Sequence, residues 1–69
     1  MTELSKAAVE RIMKKAGAGR ISADATDTLI VLMEEYGVFI SREAKKMADH
    51  AGRKTLRGSD MQIAAEMFR

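Results

Sequence analysis

The 69-residue chain has no cysteine, no proline and no tryptophan, and its only aromatic residues are Tyr36, Phe39 and Phe68. Without cysteine, neither a disulfide framework nor a thiolate metal site can staple the fold. The single histidine, His50, has no second histidine to share an ion with, so it makes a poor metal site and no cofactor is expected. No nucleophile or paired acid stands at a defined distance from it, so the chain does not read as an enzyme. So few aromatics leave no platform on which unpaired bases would stack. No apolar run approaches the roughly 20 residues that span a bilayer. The opening Met1-Thr2-Glu3-Leu4 lacks the charged and apolar regions of a signal peptide, and a cytosolic location is expected.

What is present is a high share of both apolar (46%) and charged (32%) residues, and together these favour helices with buried stripes over disorder. A single domain covering residues 1–69 is expected, near the size where one chain's core is marginal. The net charge of +2 is modest, but its distribution is not even. Arg11, Lys14, Lys15 and Arg20 occur with no acid between them. Asp24, Asp27, Glu34 and Glu35 then follow with no base, and from Arg42 to Arg57 six bases face only Glu43 and Asp49. Segregation of this kind orients the surface potential.

Three helices are expected and no sheet. The first starts after Thr2 or Ser5, runs to about Ala16, and buries Ala8, Val9, Ile12, Met13 and Ala16. Gly17 stops it. Ser22 caps the second helix, which runs over residues 23–51 with Ala25, Leu29, Leu32, Met33, Tyr36, Ile40, Ala44, Met47, Ala48 and Ala51 as its apolar side chains. Gly52 is the stop, and Gly37 is the sole interruption, costing about 1 kcal/mol relative to alanine. Lys54-Thr55-Leu56 reads as a short extended segment. The third helix begins at about Gly58 or Ser59, with Ser59 and Gln62 spaced as a capping box, and runs toward Phe68. Its buried face is Met61, Ile63 or Ala64, Ala65, Met67 and Phe68.

One chain cannot cover the central helix. At 1.5 Å per residue that helix is roughly 43 Å long, whereas each flanking helix spans about 16 Å. Its middle, with Met33, Tyr36, Gly37 and Ile40, is left bare, and an interlocked dimer crossing near Gly37 would bury it. Gly37 reads either as the point of close backbone approach or as a tolerated helix glycine.

The two turns share one plan: a helix stop, an exposed cation, a helix start. Ala16-Gly17-Ala18 with Arg20-Ile21-Ser22, then Glu34-Glu35, and above all His50-Ala51-Gly52-Arg53-Lys54-Thr55 with Asp60 resemble an archaeal histone over essentially the whole chain. The seven-residue step from Arg53 to Asp60 is the most specific element. The resemblance implies the all-α histone fold (short helix, long central helix, short helix) in a handshake homodimer, or a heterodimer with another histone. It further implies that the dimer binds and bends double-stranded DNA on the chromosome. Arg20 then corresponds to an arginine in the minor groove, Lys54, Thr55 and Arg57 to second-turn phosphate contacts, and Arg11, Lys14 and Lys15 to first-helix contacts. Arg53 and Asp60 correspond to an internal ion pair. Met47, His50, Asp60 and Ile63 fall where dimers join into tetramers or longer assemblies. The chain departs from the pattern at Ser5 and Ala8, where prolines are common, at Gly19 and Asp49, where charged and basic residues are usual, and at Gly58.

Each of these residues also has a plainer reading. Arg20 is a solvated loop arginine, Lys54 and Arg57 are solubility charges, Thr55 is an extended-segment residue, and Asp60 is a favourable acid in a helix's first turn. His50 is either a helix-end histidine or an interface residue that hydrogen-bonds Asp60 of the next dimer. Lys45 and Lys46 read as a solvated helix face. The competing function is a histone-fold dimerisation module in a transcription-related assembly, which the cations in both turns argue against.

Overall fold

The computed structural model describes residues 4–69 and contains three helices: α1 (Lys6–Lys15), α2 (Ala23–His50) and α3 (Gly58–Met67). No strand occurs among the described residues, so the extended segment expected at Lys54-Thr55-Leu56 is an irregular turn. α1 begins where the Ser5 hydroxyl accepts a hydrogen bond from Ala8 N at 3.2 Å. The alternative cap, Thr2, lies outside the described residues. Ser22 caps α2 in the same way, through Ala25 N at 3.2 Å.

Both long connections start with the same device. Gly17 (φ 99°) and Gly52 (φ 72°) take the left-handed conformation that stops a helix. After α1, Gly17 N donates to Lys14 O and Ala18 N to Met13 O. After α2, Gly52 N donates to Asp49 O and Arg53 N to Ala48 O. These paired bonds form a Schellman motif at each helix end and satisfy carbonyls that would otherwise lack partners.

The helices pack in two compact units, one up to Glu35 and the other from Tyr36, with α2 contributing to both. In the first, Val9, Thr26 and Ile30 are buried, the Thr26 hydroxyl points to Met13 Sδ at 4.0 Å, and Lys6 pairs with Asp27 at 3.1 Å. In the second, Ile40, Ala44 and Ala64 form the core, with Met47 and Met61 packed against them.

Several positions expected to be buried are not. Ile12 is 48% exposed, Leu32 55% and Tyr36 50%, whereas Thr26 and Ile30 are enclosed. α1 therefore meets α2 about a third of a turn away from the face that Leu32 and Tyr36 occupy. On α3, Ala64 takes the buried place, leaving Ile63, Met67 and Phe68 exposed. Ile40, expected at a dimer crossing, is only 4% exposed because its own α3 covers it.

One stripe of α2 runs at three–four spacing through Thr26, Ile30, Met33, Gly37, Ile40, Ala44 and Met47. All of these are buried or half-buried except Gly37, which is exposed, with nothing within 4 Å of where a Cβ would stand.

Candidate nucleic-acid interface

The second turn is held by one guanidinium. Arg53 Nη2 donates to Asp60 Oδ1 at 2.8 Å, and Nη1 donates both to Asp60 Oδ2 at 3.0 Å and to the Thr55 carbonyl at 3.2 Å. Asp60 Oδ2 also accepts from Arg57 N at 2.9 Å. The stop after α2, the middle of the turn and the start of α3 are thus joined through one bidentate pair, the strongest geometry available to these groups.

The expected start of α3 at Gly58 holds, but this pairing changes its cap. The helix begins at Gly58 with Arg57 as its N-cap residue, and the Asp60 carboxylate reaches back to the cap's amide. A guanidinium has no acceptor, so Arg57 cannot return the bond, and Ser59 and Gln62 do not form the expected capping box.

The Asp60 carboxyl titrates at about 2, below its ordinary 3.8. The hydrogen bond from Arg53 is the largest cause and the Arg57 amide adds to it, while burial opposes both. The same pair raises the Arg53 guanidinium. Because the folded-state value is depressed, the stabilisation is fully present above the unfolded value and disappears as pH falls through the folded one. Thermal melts should therefore show the advantage of the parent chain over Asp60→Asn undiminished above about pH 4 and shrinking toward pH 2. A difference constant across that window would mean that the carboxylate charge is not what holds the turn.

Asp60 is 3% exposed and already accepts three hydrogen bonds. Its expected second role, accepting from His50 of a neighbouring dimer, would have to use the one acceptor site that these bonds leave. His50 and Ile63 are exposed, and Met47 is half-buried against the core. Asp49, which stands where a basic residue is usual, is paired with Lys45 at 2.8 Å.

The twelve cations divide sharply. Five are engaged by carboxylates: Lys6 with Asp27, Lys45 with Asp49, Lys46 with Glu43, Arg53 with Asp60, and Arg69 with Glu66. The other seven, which form no salt bridge among the described residues, are Arg11, Lys14, Lys15, Arg20, Arg42, Lys54 and Arg57, all exposed. Arg11, Lys14 and Lys15 share one face of α1 at three–four spacing, turned away from the buried Val9. Arg20 lines an open hollow together with Met13, Ala18, Ile21, Ser22 and Ala25. Lys54 and Arg57 flank the exposed Thr55 in the second turn. The sequence marked all of these as DNA contacts except Arg42, on the exposed side of α2. Its exposure was not legible in the sequence, and among the described residues no carboxylate pairs with it.

Unpaired cations on rigid turns attract anions, and several of them suit a polyanion with regularly spaced phosphates. Among the described residues no group of His, Cys, Asp and Glu could hold a metal ion, and no helix is long and apolar enough to cross a membrane.

Comparison with known proteins agrees with this surface. The family model described as histone-like transcription factor (CBF/NF-Y) and archaeal histone matches residues 2–65. A chain of the archaeal histone HAN1 from Thermococcus zilligii is 41% identical over 66 residues, 96% of this chain and 98% of that protein. Probable archaeal histone 3 of Methanocaldococcus jannaschii is 41% identical over 64 residues, 93% and 96% of the two chains. DNA-binding protein HmvA of the same organism is 39% identical over 59 residues, 86% of this chain and 62% of that protein.

Proposed function

The chain belongs to the family of archaeal histones and histone-like transcription factors, and we propose that it binds, bends and compacts double-stranded DNA on the chromosome. The observation that carries this reading is the division of the cations. Six of the seven without a salt bridge among the described residues lie on α1 and in the two Schellman-closed turns, whereas three of the four cations outside them, Lys45, Lys46 and Arg69, are neutralised by acids. A module used only to join proteins has no need to keep those six free.

The working unit is a dimer, a homodimer or a pair with another histone. Ten large apolar side chains among the described residues are 40–64% exposed, Leu32, Tyr36 and Phe39 of α2 among them. Covering the exposed half of each adds on the order of 1 kcal/mol apiece. The bare Gly37 on the otherwise covered stripe of α2 is where a partner helix can approach closely, with Met33 and Tyr36 beside it. Longer assemblies on DNA would use Met47, His50 and Ile63.

Contacts go to phosphates and to groove width, so sequence preference is weak. Arg20, beside the capped start of α2, is placed to enter a narrow minor groove, where an arginine stabilises curvature toward the protein. Lys54, Thr55 and Arg57 position phosphate, and Arg11, Lys14 and Lys15 extend the path. Affinity should fall steeply with salt, by about 0.9 log units per log unit of salt for each neutralised phosphate. Arg20→Ala should weaken binding and reduce bending in a circularisation assay. Unchanged affinity and unchanged bending would end the minor-groove assignment.

A further inference from the structure

α2 is one unbroken helix, and its exposed side carries a pattern that neither the dimer crossing nor the DNA contacts use. The covered stripe and the crossing near Gly37 occupy one side of it. At about 100° per residue, Glu35 and Arg42 lie nearly opposite Gly37 on the helix, with Val31 and Val38 beside them. These four follow one another at steps of four, three and four residues, the spacing of a seam that another helix can cover. Val31 and Val38 are 50% and 52% exposed, and Phe39, at the edge of the same side, is 42% exposed. Glu35 and Arg42 are exposed and form no salt bridge among the described residues, whereas Glu43, Lys45, Lys46 and Asp49 of the same helix are paired. A single exposed valine is ordinary. Two of them in register with two unmatched, opposite charges make a patterned surface.

The pattern is complementary to itself. Glu35 and Arg42 are separated by about 10 Å along the helix axis. Against the same side of another copy, antiparallel and with a two-fold axis between Val38 and Phe39, Glu35 of each helix faces Arg42 of the other. Val38 of each then meets Phe39 of the other between the two ion pairs, an isologous contact. An in-register parallel arrangement would instead set like charges together. We propose that this side of α2 joins two dimers, its occupant being the same side of a second copy of this chain. Arg20, Lys54 and Arg57 take no part in it, so two joined dimers keep both sets of DNA-binding turns. The patch is small and its ion pairs are exposed, so the contact is weak in free solution and strengthens where DNA holds dimers close together.

This inference rests on the dimer reading, and sedimentation without DNA separates the two. The parent chain, Glu35→Arg, Arg42→Glu and the variant carrying both changes are compared from micromolar to roughly millimolar chain at low salt. All four should be dimers at micromolar concentration, because the exchanged side chains lie away from the crossing. As concentration rises the parent should enter a dimer–tetramer equilibrium that added salt reverses. Each single change sets like charges together in both ion pairs and should lower the association constant about tenfold. The two changes shift net charge in opposite directions, so a loss common to both is not an effect of net charge. Together they restore both pairs with the signs exchanged, and association should return to within about threefold of the parent. The contact is wrong, and the dimer reading stands, if a dimeric parent forms no tetramer, if its tetramer is undiminished in both single variants, or if the double variant recovers nothing. A parent that is monomeric at micromolar concentration sinks both.

Discussion

Asp60→Ala is expected to melt on the order of 10 °C below the parent chain at equal protein concentration and without DNA. The carboxylate accepts from Arg53 twice and from the Arg57 amide once. Its removal strands a half-buried guanidinium and the amide at the start of α3 together. The Thr55 carbonyl then depends on an arginine that nothing else orients. A domain of this size has little stability in reserve, so losing three charge-assisted bonds is a large fraction of the whole. Lys54→Ala, one residue beyond Arg53, should do the opposite: a melting temperature within a degree or two of the parent, and weaker DNA binding. Lys54 is exposed and forms no salt bridge among the described residues, so the folded chain loses little with it. Comparable losses of stability in the two variants would show that Arg53 and Asp60 do not perform the structural task assigned to them.

The second large effect concerns the partner chain. Melting temperature should rise with protein concentration, by about 4 °C for each tenfold increase, because folding and association are one equilibrium. Among the described residues, Val9 and Ile30 are the buried hydrophobic residues of the first unit, and three of the four in the second are alanines. Cores of that size do not offset chain entropy unless the exposed side chains of α2 and α3 are also covered. Gly37→Leu is the sharper probe. Within a single chain a Cβ at residue 37 would meet nothing within 4 Å, and leucine favours the helix over glycine, so a monomer would gain stability. In a dimer whose long helices cross there, the same side chain overpacks the contact and should drive dissociation, visible in sedimentation at micromolar concentration. A variant that remains dimeric and melts higher than the parent would place the crossing elsewhere on α2.

Much of the fold was legible in the residues because it is governed by local chemistry. Ser5 and Ser22 cap helices through their own hydroxyls, and Gly17 and Gly52 stop them because a left-handed residue is cheapest without a Cβ. The Arg53–Asp60 pair spans seven residues across one turn, a distance that side-chain lengths alone make feasible. The cation groups on α1 and in the two turns were visible as runs without acids.

Other features depended on contacts between segments distant in sequence. Leu29 to Met33 are all apolar, so hydrophobic periodicity carries no phase there. Only the docking of α1 decided that Thr26 and Ile30 would be enclosed and Leu32 left exposed. The choice between Ile63 and Ala64 was open for the same reason, and the close approach of α3 to Ile40 and Ala44 selected the smaller residue. The cap of α3 passed from Ser59 to Arg57 because Asp60 Oδ2, already anchored by Arg53, has a second lone pair for the Arg57 amide. The pairing of Lys6 with Asp27 likewise depended on the packing of α1 on α2, whereas that of Lys45 with Asp49 is local to one helix. Propensity, caps and stops act over a few residues and are written in the sequence. Facing, pairing and exposure depend on which surfaces meet, and that is settled only once the helices have packed.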